Sequence, residues 1–175
     1  MYIFIMRHGE AANIEGRDAL RPLTDNGIIE AEKMGLWLVK KPLVKLIKTY
    51  VSPYKRAIQS GNCVISIINK HDRNIDLKPE ILDLITPSGN AKQVHDYIDG
   101  LFHSNNDFRG EGDSDLTPAM LLVSHMPFVS YLVGELTKSA TMPIFSTGAI
   151  AIIDYHLESM KGKFIDIVLP ESVRV

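Results

Sequence analysis

Residues 2–6, Tyr-Ile-Phe-Ile-Met, are apolar without interruption, and the run stops at Arg7-His8-Gly9-Glu10. A strand apolar on both faces belongs inside a sheet that is covered on both sides. The period then changes. Thr24 is a good N-cap, and Ile28, Ala31, Gly35 and Leu38 recur on one helical face, predicting a helix to about Lys41, where Pro42 stops it. Residues 46–51 read as a second strand. Ser52-Pro53 then reads as N-cap and first residue of a helix with Ala57, Ile58, Gly61, Val64, Ile65 and Ile68 on its apolar face. A short strand is expected around Leu77 and a helix over 90–102. Residues 103–115, rich in Gly, Asn and Asp, read as an exposed loop. Residues 119–123 form another continuous apolar strand, and Met126-Pro127 opens a helix to about Leu136. Two final strands, 148–155 and 163–168, are joined as a hairpin through 159–162.

Strands alternating with helices predict a three-layer α/β sandwich, with a mostly parallel central sheet and helices on both faces. There is no internal repeat, linker or low-complexity tract, so the 175 residues read as one domain, 1–175. The net charge of −2 gives no global attraction to nucleic acid or to an anionic membrane, and neither is expected as a partner. Any anion must be gripped locally. Cys63 is the single cysteine, which excludes an internal disulfide framework and a multi-cysteine zinc site. The N-terminal apolar run is too short for a signal peptide, and no stretch approaches the roughly 18 apolar residues of a membrane span. A cytoplasmic setting is the expectation.

Ligands of open α/β sheets bind at the carboxyl ends of the strands. Strand one ends in Arg7-His8-Gly9-Glu10, strand two in Ser52-Pro53-Tyr54-Lys55-Arg56, and the strand over 119–123 in Ser124-His125-Met126-Pro127. Two histidines and two arginines are therefore predicted to converge on one edge, beside helix N-termini that attract anions. Guanidinium groups pair bidentately with phosphate oxygens and keep their charge. An imidazole with one bare nitrogen is a competent nucleophile, and neighbouring guanidiniums disfavour its protonation. A backbone carbonyl accepting the other ring N–H would fix the tautomer. Gly9 removes a side chain where the backbone must approach ring and phosphate. The set suits phosphoryl transfer, which is mostly positioning and charge stabilisation.

Arg7-His8-Gly9-Glu10 after an apolar N-terminal strand resembles the signature of the histidine phosphatase superfamily, which includes the phosphoglycerate mutases. Pro22-Leu23-Thr24-Asp25-Asn26-Gly27 with Glu30-Ala31 is similar to its Leu-Thr-x-x-Gly-x-x-Gln-Ala segment, with Glu30 in place of Gln. Ser52-Pro53-Tyr54-Lys55-Arg56-Ala57 resembles its Ser-x-x-x-Arg-Ala motif, and Val123-Ser124-His125 the segment bearing its second histidine. Ile3 to Gly9, Arg21-Pro22-Leu23-Thr24, Leu84-Ile85-Thr86-Pro87, Ser124-His125-Met126-Pro127 and residues 131–136 resemble the protein-phosphohistidine phosphatase branch. The resemblance covers nearly the whole chain. It implies the phosphoglycerate mutase-like fold and His8 as a transiently phosphorylated nucleophile. It implies that Arg7, Arg56 and Arg21 bind the phosphate, that His125 is the second pocket histidine, and that no metal or other cofactor is required. The implied partner is the phosphorylated histidine of a phosphotransfer protein or domain, with phosphate- or sulfate-type anions fitting the same pocket.

The chain departs from the family where many members place a general-acid glutamate: in residues 78–87 no carboxylate falls in clear register, and Asp83 and Glu80 are the two candidates. A phosphorylated imidazole is a better leaving group than an alkoxide and needs less acid help. No long insertion is available as a lid, and an open pocket suits a histidine on a protein surface. Two alternatives stand beside this reading: a small-molecule phosphomonoesterase or mutase on the same scaffold, and a phosphohistidine-binding module without turnover. Other features read as bland. Asp113-Ser114-Asp115-Leu116-Thr117 mimics an aspartyl-phosphatase motif but does not follow a buried strand. Cys63 lacks the arginine of a Cys-x5-Arg loop, since Asn69 stands there, and reads as a core residue. His71, His95, His103 and His156 read as solvated. Glu10 is either a partner of a pocket arginine or a surface carboxylate.

Overall fold

The first apolar run is a strand, β1 (Tyr2–Arg7), and its side chains alternate between two cores: Ile3 and Ile5 enter one, Phe4 and Met6 the other. This follows from the period-2 alternation of a strand buried on both faces. The computed structural model of the chain describes residues 1–42, 44–72, 76–104, 115–140 and 142–174. After β1 come α1 (Asp25–Val39), β2 (Val44–Val51), α2 (Lys55–His71), a two-residue strand β3 (Glu80–Ile81) and α3 (Ala91–Ser104). Then follow β4 (Thr117–Ser124), α4 (Phe128–Thr137), β5 (Ile150–His156) and β6 (Lys161–Val168). The six strands form one sheet in the order β3-β2-β4-β1-β5-β6. The contacts β1–β4, β2–β4 and β2–β3 are parallel, and β5 pairs antiparallel with both β1 and β6.

Helices α1 and α2 cover one face through Ala31, Met34, Leu38, Val64 and Ile68, and α3 and α4 cover the other through Val94, Ile98, Phe102, Leu132 and Leu136. The α/β sandwich with helices on both faces is therefore present. The N-cap of α1 is Thr24, whose hydroxyl accepts from the Gly27 N–H at 3.0 Å. The tail beyond β6 packs back on the first layer: Pro170 is buried and the partly buried Val173 packs against the α1–α2 core. Among the described residues no helix is long and apolar enough to cross a membrane.

Three local expectations are corrected. The short strand lies at Glu80–Ile81, where it pairs with Tyr50 and Val51, rather than around Leu77; Leu77 instead exchanges hydrogen bonds with the Asn69 side chain. Helix α2 begins at Lys55, so Ser52 is not its cap, and Tyr54 at the N-cap position makes no side-chain cap. His95 is 3% exposed rather than solvated. It stands on the buried face of α3 beside Val94 and Ile98, and its ring nitrogens meet the Tyr155 hydroxyl at 2.6 Å and Glu135 Oε1 at 3.1 Å. The expected loop over 103–115 falls mostly outside the described residues, as does the start of the Asp113 motif.

Candidate active site

The carboxyl ends of β1, β2 and β4 lie side by side, and the ladder continues just past them. The His8 N–H donates to the Ser124 carbonyl at 2.9 Å, and the Ser52 N–H to the Val123 carbonyl at 3.0 Å. The Gly148 N–H donates to the His8 carbonyl at 3.1 Å, tying in the segment before β5. These bonds bring His8, Ser52 and His125 together across more than a hundred residues of chain. Arg56 arrives from the first turn of α2 and is buried. The result is an open cleft of about 470 Å³, lined among others by Arg7, His8, Asp18, Arg21, Arg56 and His125. More apolar clefts beside Tyr2 and Phe4 lie at the opposite end of β1.

His8 is held at both ring nitrogens. Its Nδ1 is 2.6 Å from the Gly9 carbonyl oxygen, which can only accept, so Nδ1 carries the proton. Nε2 is therefore bare and accepts from the Arg56 Nε–H at 3.1 Å. Burial and then the Arg56, Arg7 and Arg21 charges push the ring's pKa down from 6.5 to about 4, against the opposing effect of the Gly9 bond. His125 packs against it with ring centroids 4.9 Å apart. Burial, with His8 and Arg56 nearby, pushes His125 down to about 3. Its Nε2 meets Ser52 Oγ at 2.8 Å, and its Nδ1 is buried without a hydrogen-bond partner. Both rings are neutral at pH 7. Nitrogen-15 NMR of the His8 ring is expected to show a titration midpoint near pH 4, moving upward in an Arg56→Ala protein. Protonation removes the bare nitrogen, so any chemistry at Nε2 is lost only as pH falls through that midpoint. A midpoint near 6.5 in the wild type would contradict this account of the site.

The cations are fixed in different ways. Arg7 donates from Nη1 to the Phe145 carbonyl at 2.7 Å, while its Nε is buried with no partner. Arg21 is anchored by its Nε–H to the Ala12 carbonyl at 2.8 Å. Arg56 donates from Nη1 to the Asp18 carbonyl at 2.7 Å and from Nη2 to Asp18 Oδ2 at 2.9 Å, and its guanidinium lies over the Tyr54 ring. The structure thus brings His8, His125, Arg7, Arg21 and Arg56 into one cleft.

Other sequence expectations land elsewhere. Glu80 lies outside this cleft and pairs with Lys48. Asp83 stands in an exposed turn, also outside the lining. Gly9 is tight against protein rather than against the pocket: a Cβ there would meet the Gly27 carbonyl oxygen of α1 at 2.3 Å. Glu10 is bonded by Thr24 Oγ1 and Asn26 Nδ2, both at 2.9 Å, rather than by an arginine. Cys63 is half-buried beside the α1–α2 core.

Four participants were not legible as such. Ser60 accepts from the Gly9 N–H at 3.0 Å and donates to the Arg56 carbonyl at 2.7 Å, bridging the two motifs. Glu30 accepts from the Glu10 N–H and from Thr147 Oγ1, both at 2.8 Å, joining the loops after β1 and before β5. Ser52 holds His125. Asp18, on a short 3-10 turn (Asp18–Leu20), bridges two arginines. Ser52 and Glu30 did carry an advance signal, each occupying a fixed place in a motif segment, the Ser-x-x-x-Arg segment and the Leu-Thr-x-x-Gly-x-x-Gln segment. Among the described residues no group of three or more His, Cys, Asp and Glu is placed to hold a metal ion.

The family model of the histidine phosphatase superfamily (branch 1) matches residues 3–82. The phosphohistidine phosphatase SixA of Escherichia coli (strain K12) is 37% identical over 168 residues, covering 94% of this chain and 91% of that protein. A SixA homolog of Haemophilus influenzae is 37% identical over 141 residues, 78% of this chain and 77% of that one. A solved structure of the protein histidine phosphatase SixA complexed with tungstate superimposes with a TM-score of 0.83 at 34% identity, covering 99% of this chain and 100% of that one.

Proposed function

This chain belongs to the histidine phosphatase superfamily, and from that premise we propose that it hydrolyses phosphohistidine on a partner protein by way of a phosphorylated His8. It is a hydrolase, a phosphohistidine phosphatase like the SixA proteins it resembles. The observation that carries the mechanism is the state of His8: neutral, with Nδ1–H on the Gly9 carbonyl and Nε2 bare. In the first step Nε2 attacks phosphorus. The phosphorus–nitrogen bond of the substrate breaks, and the departing imidazole nitrogen takes a proton from solvent water in the open cleft. Arg7, Arg21 and Arg56 supply the positive charge for the transferring phosphoryl oxygens. His125, packed against the His8 ring, lines the same cleft. In the second step water attacks phospho-His8, releases inorganic phosphate and returns Nε2 to its bare state. The charge in the pocket comes from arginines, so the proposed cycle needs no metal ion.

The substrate class rests on what the cleft offers a leaving group. Its two acidic side chains are already engaged, Glu10 by Thr24 and Asn26 and Asp18 by arginines, and Glu80 and Asp83 are elsewhere. A sugar alkoxide leaving without acid help is slow, whereas an imidazole leaves readily. Exposed apolar side chains also stand next to site residues in the chain: Leu20, two residues from Asp18, and Ile144, next to the Phe145 carbonyl that holds Arg7, are 60% and 86% exposed. Such side chains suit a protein surface around the phosphorylated histidine. The partner we propose is a histidine phosphotransfer domain or phosphocarrier of bacterial signalling, in a cytoplasmic setting.

The test offers the chelator-treated protein a phosphohistidine protein and a set of sugar phosphates. Phosphate release is expected from the phosphohistidine protein, with sugar phosphates at least about a hundred-fold slower in kcat/KM. Preferred turnover of sugar phosphates would overturn the substrate. Tight binding without release would overturn the enzyme reading.

A further inference from the structure

Each nitrogen of Arg56 already makes one hydrogen bond. Its Nε–H covers the lone pair of His8 Nε2, while Nη1 and Nη2 are taken by the carbonyl and carboxylate oxygens of Asp18. The second carboxylate oxygen of Asp18 accepts from Arg21 Nη1 at 3.1 Å. The two carboxylate oxygens of one residue therefore occupy one donor on each of two arginines, as two phosphoryl oxygens would. As long as they do, Arg56 stays parked on the nucleophile.

We propose that Asp18 is a built-in stand-in for the phosphoryl group, which a substrate must displace from Arg56 and Arg21 before His8 can attack, and that this displacement sets the preference for protein-borne phosphate. The proposal rests on the cleft being the phosphate site described above. The turn that carries Asp18 is made for release. None of its residues, Asp18–Leu20, is buried, and the side chain of Asp18 is 55% exposed although its partner Arg56 is only 6% exposed. A segment held by polar contacts with no apolar anchor opens at low free energy. A small phosphate ester has only its phosphate with which to displace the carboxylate. A protein can also contact the displaced turn, whose Leu20 already projects into solvent, and so offset the loss of the Asp18 bonds.

The experiment measures inorganic phosphate binding by calorimetry at fixed ionic strength for wild type, Asp18→Asn, Asp18→Ser and Arg56→Ala, each checked by thermal melting. Removing the competing carboxylate is expected to tighten phosphate binding about ten-fold in both Asp18 variants, since it frees charge-assisted donors. Their kcat/KM on a small phosphate ester is expected to rise by about the same factor, mostly through KM, and to rise by more than kcat/KM on a phosphohistidine protein does. Unchanged or weaker phosphate binding in both Asp18 variants, with Arg56→Ala weakened, would overturn the proposal and leave Asp18 as a brace for Arg56. Unchanged binding in Arg56→Ala would instead overturn the phosphate-site reading on which it rests.

Discussion

A His8→Ala protein is expected to release phosphate from a phosphohistidine protein at least about a thousand-fold more slowly than wild type, while still binding it. The loss follows from the one bare ring nitrogen in the cleft whose tautomer is fixed by a backbone carbonyl. His125 cannot take over: its Nε2 is committed to Ser52 and its Nδ1 is buried. Binding is retained because the charge lies on Arg7, Arg21 and Arg56, none of which depends on His8 for its anchor to the backbone. Arg56 loses its acceptor and is freer to meet the phosphate. The acid-labile phosphoryl-enzyme trapped from the wild type should be absent from the variant. Equal phosphate release by wild type and variant would remove His8 from the mechanism. A normal thermal melt is needed beside it, because His8 is buried.

What the sequence could show was whatever local pattern determines. The runs at β1 and β4 are uniformly apolar because both faces of these strands are covered, and they mark the centre of the sheet. Strand ends followed at once by Arg7-His8, Ser52-Pro53 and Ser124-His125 predicted which residues meet, because parallel strands place their carboxyl ends at one edge. Contacts that depend on how a segment folds back were hidden. Asp18 lies in a polar stretch without periodicity, and its reach to Arg56 spans 38 residues. Ser52 read as a helix cap because Ser-Pro usually is one, yet its hydroxyl serves His125 and the helix begins three residues later. The burial of His95 was legible in principle, since it shares a helical face with Val94, Ile98 and Phe102. Its polarity outweighed its position only because its partners Glu135 and Tyr155 come from distant elements.

Gly9 shows how structure changes the meaning of a motif glycine, and it supports the second large effect. The sequence placed it where backbone must approach the phosphate. The structure places it where two backbones touch: a Cβ on Gly9 would meet the Gly27 oxygen at 2.3 Å, and a Cβ on Gly27 would meet the Glu10 oxygen at 2.1 Å. Neither side yields easily, because the Thr24 N–H donates to the Glu10 carbonyl at 2.9 Å and His8 is pinned to Ser124. Gly9→Ala must therefore push the loop off α1, and with it the carbonyl that fixes the His8 tautomer and the N–H held by Ser60. A fall of at least about a hundred-fold in kcat/KM is expected, mainly in kcat, with about 1–3 kcal/mol lost in urea unfolding. Gly27→Ala separates the two accounts, since Gly27 does not line the cleft. It should do comparable damage by opening the same gap, and the double variant should lose far less than the sum of the two. If Gly27→Ala were nearly neutral while Gly9→Ala was inactive, the interlock would be the wrong explanation, and close approach to the phosphate would be restored as the reason for Gly9.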